Sequence, residues 1–222
     1  QAQMVSAGTD SIVEAMSVAR NERAALVATL RAVGPDAPTL CEGWTTKDLT
    51  AHMVIREHRL DAAPGILVPQ LAGYTAKVQN RVAAETDWDT LVAKLAAGPP
   101  LYSPLKLLDS VANVTEMFVH HEDVRRAAPD WQPRDLDAAT ADALRRPLAT
   151  FSRMGMSKVP ARVSLCTPDG HTLATVGKGP ALTITGEIPE LLLFAFGRNE
   201  VHADFAGDPD TVAAVKAAKP RD

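Results

Sequence analysis

From Ser11 to Val33 the residues Ile12, Met16, Ala19, Leu26 and Leu30 recur at about helical spacing, and Gly34-Pro35 closes the run. The spacing predicts a helix over 11–33. A second helix begins after Thr45. With Thr45 as N-cap, Asp48 takes the third helical position, a capping box in which Asp replaces the usual Glu or Gln, and Trp44 before the cap can pack on Leu49 as a hydrophobic staple. This helix is expected to continue through AHMVIREHRLDAA and stop near Pro64 and Gly65. Further helical patterns cover 68–84, a short stretch opened by Thr86 and Asp89 and closed at Gly98-Pro99-Pro100, a long stretch from about Pro104 to Ala128, and 135–156, where Pro147 marks a point for a bend. Helices joined by short loops bearing Pro and Gly predict an antiparallel bundle.

After Pro160 the rhythm changes. Arg162-Val-Ser-Leu-Cys-Thr alternates with period two, Pro168-Asp-Gly is a turn, and His171-Thr-Leu-Ala-Thr-Val is the return strand. Ala181-Leu-Thr-Ile-Thr predicts a third strand, Pro189 sits just inside a compact apolar helix ending at Gly197, and Val201, Ala203 and Phe205 alternate once more. Asp208-Pro209 opens a last helix. The switch of period near residue 158 predicts a domain boundary there, with a helical unit over 8–157 and a small α/β domain over 158–220 built on a three- to four-stranded sheet. The fold class expected is therefore α+β.

Composition restricts the function more than the fold. The chain has 222 residues, 46% hydrophobic, and 23 basic against 27 acidic side chains give a net charge of −4. Mild acidity leaves no basic footprint for nucleic acid or an anionic membrane. Nowhere is there an apolar run of about 18 residues, and QAQMVSAGTDS has neither the basic nor the apolar part of a secretory leader. Two distant cysteines, Cys41 and Cys166, argue against a disulfide scaffold or a thiolate zinc cluster, and the expected compartment is the cytoplasm.

Candidate chemistry lies on two of the predicted helices. On the helix after Trp44, Leu49, His52, Met53 and Arg56 fall within about 100° of one another, so His52 points with the apolar face. A lone histidine there is most simply a hydrogen-bonded core residue. Glu116 and His120, four residues apart, stack on one face of the long helix in a stripe that includes Asp109, Asn113 and Asp123. Such a stripe is either a solvated face or, because Leu108, Met117, Val119 and Val124 flank it, part of a buried helix whose polar groups must pair. Two histidines and a carboxylate from two helices suffice for a divalent transition metal with open positions. The helix-borne protease motif fails, since His121-Glu122 is followed by Arg at 125, and so does the di-iron bundle pattern, which needs Glu-x-x-His twice.

Three strings, LCEGWTTKDLTAHMVIREHRLDAAPG, TEMFVHHEDVRRA and LLLFAFGRNEVHADFAGD, resemble in order the actinobacterial branch of the mycothiol-dependent maleylpyruvate isomerase family, within the DinB/YfiT-like metal-binding proteins. The resemblance implies an N-terminal DinB-like four-helix bundle that holds a divalent metal, usually zinc with nickel as an alternative, and a small C-terminal α/β domain. Carried onto this sequence, the ligands are His52, Glu116 and His120. It also implies mycothiol as cosubstrate, its thiolate activated by the metal and acting on a small electrophile in an isomerase or a thiol transferase. The alternatives are a non-catalytic metal- or ligand-binding module and a metal-dependent hydrolase.

Flanking residues complete the expectations. Arg56 shares the His52 face and needs an anionic partner, and Arg198 in FGRNE resembles a Gly-Arg element of the family; these two are the candidate catalytic residues. Asn113 and Asp123 are placed to orient ligands or to face water. His121, Glu122, Arg125 and Arg126 read as a solvated charged face with internal ion pairs, and Cys41 as a small buried hydrophobe rather than a fourth ligand. The expected partners are a small thiol and a small electrophile, with no nucleic acid and no membrane, for a monomer or a homodimer.

Overall fold

The computed structural model describes residues 2–59, 61, 68–100 and 110–218. These contain eight α-helices and a four-stranded sheet, a mixed α+β chain. It divides into two compact units, Gln1–Trp131 and Gln132–Asp222. None of the described helices is long and apolar enough to cross a membrane.

In the first unit α1 spans Ala2–Val33, α2 Thr46–His58, α3 Ala72–Glu85, α4 Trp88–Ala97 and α5 Ser110–Arg125. Helix α1 starts well before Ser11, because helix propensity can continue a helix where no apolar stripe announces it. Its end follows the sequence signal: Gly34 has φ 81° and donates its N–H to the Leu30 carbonyl at 3.0 Å. At the start of α2 both halves of the capping box form, Asp48 N–H to Thr45 Oγ1 and Thr45 N–H to Asp48 Oδ2 at 3.0 Å. Aspartate thus serves where Glu or Gln is usual.

Helix α2 is shorter than expected. It ends at His58, where Arg59 leaves helical geometry and its N–H closes on the Ile55 carbonyl. The expected stop at Pro64-Gly65 and the expected start of the long helix at Pro104 lie outside the described residues. Helix α5 ends at Arg125 rather than Ala128 and is followed by turns. A 3-10 turn, Pro69–Leu71, precedes α3. Helix α4 is capped by Asp87, not Thr86, with Asp87 Oδ1 accepting the Thr90 N–H at 2.9 Å. Helix α1 packs along α5, and α4 packs on both α1 and α2. Leu26, Leu30, Leu49, Met53, Leu91, Leu95 and Met117 form the centre of the core.

The second unit begins before the change of period. Helix α6, Ala138–Gly155, is capped by Asp137 and runs through Pro147. It packs on β2 and on α7. A change of period marks a change of secondary structure, whereas a unit boundary follows packing. The packing boundary falls at 131/132 and the expected one at 157/158. Strands β1 (Arg162–Cys166), β2 (Thr172–Val176), β3 (Ala181–Gly186) and β4 (Ala203–Ala206) form a sheet in the order β2-β1-β3-β4. The β1–β3 pair is parallel and the other two antiparallel. Alternation buries Val163, Leu165, Leu182 and Ile184.

Between β3 and β4 lies α7, Ile188–Ala195, and the last element among the described residues is α8, Pro209–Ala218. Gly155 at the end of α6 abuts the Ala195 carbonyl so closely that a Cβ there would collide with backbone.

Candidate metal centre

Helices α2 and α5 bring His52, Glu116 and His120 together, with one donor atom from each lying within 4.8 Å of the others. The i, i+4 spacing of Glu116 and His120 places His120 Nε2 3.4 Å from Glu116 Oε2. His52 comes from α2, where its ring lies 5.1 Å from that of Trp44 and 5.5 Å from that of His120. Trp44, expected to staple onto Leu49, packs against the core cluster that contains Leu49 and also covers His52.

Both imidazoles are held at Nδ1. His120 Nδ1 lies 3.0 Å from Asp123 Oδ2, and His52 Nδ1 lies 3.3 Å from Gln79 Oε1. In the neutral ring each acceptor favours the proton on Nδ1, which puts the lone pair for a metal on Nε2. The donor chemistry therefore fits a divalent transition metal: two imidazole nitrogens and one carboxylate, a three-ligand set that leaves a coordination position for a further ligand. The Glu116 side chain is 25% exposed, so the group is not sealed in the core.

Arg56 joins this site. Its Nη1 donates to Asn113 Oδ1 at 3.1 Å and its Nε lies 3.6 Å from Glu116 Oε2, which supplies the anionic partner an enclosed arginine needs. Without a metal the electrostatics are those of a charged cluster. Burial opposes the charge on Glu116, but the hydrogen bond from His120 and the nearby Arg56 outweigh it and hold the carboxyl at about 2. Burial also opposes the charge on His120, yet the hydrogen bonds with Asp123, Cys41 and Glu116 raise it well above the usual histidine range.

Asn113 and Asp123 both turn out to be engaged in the site, and Asp123 is fully buried. The run His121, Glu122, Arg125, Arg126 is not the expected solvated face. His121, Glu122 and Arg126 are buried. Arg126 Nε lies 2.6 Å and Arg125 Nη1 2.9 Å from the Glu122 carboxylate, and Trp131 covers the Arg126 guanidinium with 4.4 Å to the ring centroid. His121 meets Thr29 Oγ1 at 2.8 Å and Glu22 at 3.5 Å, both from α1. The internal ion pairs were expected; the burial follows from α1 lying along α5.

Cys41 is buried as expected, but it is more than a small hydrophobe. Its thiol donates to Asp123 Oδ2 at 3.3 Å, and Cys41, His120 and Asp123 form a second convergent donor group. Gln79 and Cys41 as partners of the site were not foreseen, since neither lies on the helix faces that periodicity singles out. Arg198 belongs to the second unit. It is buried after α7, where its N–H bonds the Leu193 carbonyl at 3.0 Å and its guanidinium the Phe196 carbonyl at 2.5 Å.

No protein-family profile matches the sequence, and no curated protein is similar to it at a significant level. Solved structures do share the fold. The chain is similar to the crystal structure of a mycothiol-dependent maleylpyruvate isomerase, with a TM-score of 0.55 and 14% identity over 89% of this chain and 94% of that one. A His-to-Ala mutant of that enzyme matches with a TM-score of 0.54 at the same identity and coverage.

Proposed function

We propose that the first unit is a DinB-like four-helix bundle whose His52, Glu116 and His120 hold a divalent metal, zinc before nickel, in a mycothiol-dependent isomerase or thiol transferase for a small electrophile. One observation carries this reading: the three donors meet within 4.8 Å in a chain that shares its fold with a mycothiol-dependent maleylpyruvate isomerase. A divalent metal bound there supplies Lewis-acid stabilisation of a thiolate near neutral pH.

The chain's own residues set the rest. Cys41 and Cys166 are both buried, which suits a thiol that arrives as cosubstrate. The thiolate sulfur adds to one carbon of a conjugated double bond, and the electron pair moves to the electron-withdrawing end of the substrate. The former double bond is then single and rotates. Expulsion of the thiolate restores the double bond in the other geometry, whereas uptake of a proton by the displaced electron pair, with the sulfur retained, completes a transfer. Arg56 has N–H donors beyond those turned to Asn113 and Glu116, and it is the group beside the donors suited to the anionic end that forms.

Metal analysis of the wild type and of His52→Ala and Glu116→Ala tests the site, and undiminished metal in both variants overturns it. Incubation of the metal-loaded protein with mycothiol and maleylpyruvate tests the reaction. Conversion that requires both metal and thiol is expected. Hydrolysis of esters or amides without any thiol would instead favour a metal-dependent hydrolase.

A further inference from the structure

The two histidines of the candidate centre differ in what stands behind them. Behind His52 is Gln79, a neutral amide, at 3.3 Å. Behind His120 is Asp123, a fully buried carboxylate, at 3.0 Å. The same Asp123 oxygen also accepts the Cys41 thiol at 3.3 Å, and the Asp123 carbonyl accepts the Leu40 N–H at 3.0 Å. Two points of attachment thus tie the loop between α1 and α2 to α5 one helical turn beyond His120.

That loop is itself fixed. Thr39 Oγ1 donates to the Trp44 carbonyl at 2.9 Å, and Pro38 and Thr45 form a β-bridge. Backbone bonds from Thr46 and Lys47 to the Ala37 and Pro35 carbonyls close it onto the start of α2. The carboxylate behind His120 therefore has its own position set by the segment that leads into the His52 helix. A carboxylate accepting from Nδ1–H fixes the ring and increases electron donation from Nε2 more strongly than an amide does.

We propose that Cys41 and Asp123 form a positioning pair that makes His120 the anchoring ligand of the centre, while His52, whose Nδ1 meets the neutral Gln79 amide, is the weaker and more readily exchanged arm. This inference rests on the metal-site reading above and adds a rank order and two positioning residues to it. It predicts that substitutions behind the ligands weaken metal binding unequally, although none of the altered groups would touch the metal.

Zinc dissociation constants, measured by competition with a chromogenic chelator, read this directly. Asp123→Asn is expected to weaken binding about 10- to 100-fold. Gln79→Ala should weaken it less, by about threefold, on the same reasoning. Cys41→Ala should fall between wild type and Asp123→Asn, and Cys41→Ser, which keeps a hydroxyl donor, should restore most of the loss. In the cobalt-loaded protein the exchangeable imidazole N–H resonance of His120 should shift in Asp123→Asn while that of His52 stays, a change that a purely structural role would not produce.

If His52→Ala and Glu116→Ala lose the metal but Asp123→Asn binds it within twofold of wild type, the positioning pair is refuted and the site stands. If those two ligand variants retain the metal, the site reading itself has failed and the inference with it. Should Asp123→Asn not fold by circular dichroism, Cys41→Ala decides by the same titration, and unchanged affinity there overturns the proposal. A greater loss in Gln79→Ala than in Asp123→Asn overturns the rank order.

Discussion

Helices α5 and α7 are both buried over most of their described surface, yet they fill their surroundings with opposite chemistry. In α7 the run Ile188, Leu191, Leu192, Leu193, Phe194 and Ala195 is apolar, and its one buried carboxylate, Glu190, accepts the His202 N–H at 2.7 Å. In α5 the consecutive residues His120, His121, Glu122 and Asp123 are all buried. Placing ionisable groups in a core is unfavourable unless each is paired and hydrogen-bonded. The second unit obtains stability from this helix mainly by apolar burial, whereas the first accepts a network that must be satisfied group by group. Such a network positions titratable side chains with little freedom to move, which is what a site for chemistry requires.

The largest expected effect breaks that network. Arg126→Ala removes the 2.6 Å partner of the buried Glu122 carboxylate, and should destabilise the protein by about 3–5 kcal/mol in chemical denaturation. The matching change in the apolar helix, Leu192→Ala, creates a cavity and is expected to lower stability by about 3 kcal/mol. The two differ in kind. Arg126→Met should recover little, because it restores no charged partner in place of the guanidinium, whereas Leu192→Met should recover most of its loss.

A pH-dependent signature sharpens the comparison further. Glu116 has a depressed folded value of about 2, so its contribution is present above the ordinary carboxyl value and is lost as pH falls toward 2. His120 is raised, so its contribution is present below the ordinary histidine value and is lost as pH rises through its folded value. At pH 7 a metal arriving at His120 must displace a proton. Calorimetry in buffers of different ionisation enthalpy should therefore show release of about one proton per metal, and affinity that rises with pH. No proton release at pH 7 would contradict the charged state of His120.

The smallest effect concerns α7. Its N-cap, Glu187, has extended geometry but makes no side-chain cap hydrogen bond. Glu187→Asp should supply one and stabilise the second unit by about 0.5–1 kcal/mol, read as a small rise in Tm.

Periodicity and capping chemistry made most elements legible. Thr45 and Asp48 located α2, Gly34 ended α1, and period two marked the strands. His52, Glu116 and His120 could be selected because spacing alone puts them on definable helix faces. The partners of those residues were less visible. Asp123 could be placed on the right stripe but not said to be buried, Cys41 could not be connected to it, and Gln79 could not be connected to His52. The pairing of α6 with α7 and β2 was likewise hidden, since a helical period says that a helix has an apolar face and not which surface will cover it.

By itself the amino-acid order determined what is local: element type, caps and the side-chain directions within each helix, because these depend on backbone geometry over a few residues. Tertiary structure alone decided which polar groups became buried and with whom they paired. Thr29 and Glu22 meet His121 across about ninety to a hundred residues, and Cys41 meets Asp123 across 82. Such meetings follow from helix packing, and it is packing that turned a run of charges into a buried network around a candidate metal centre.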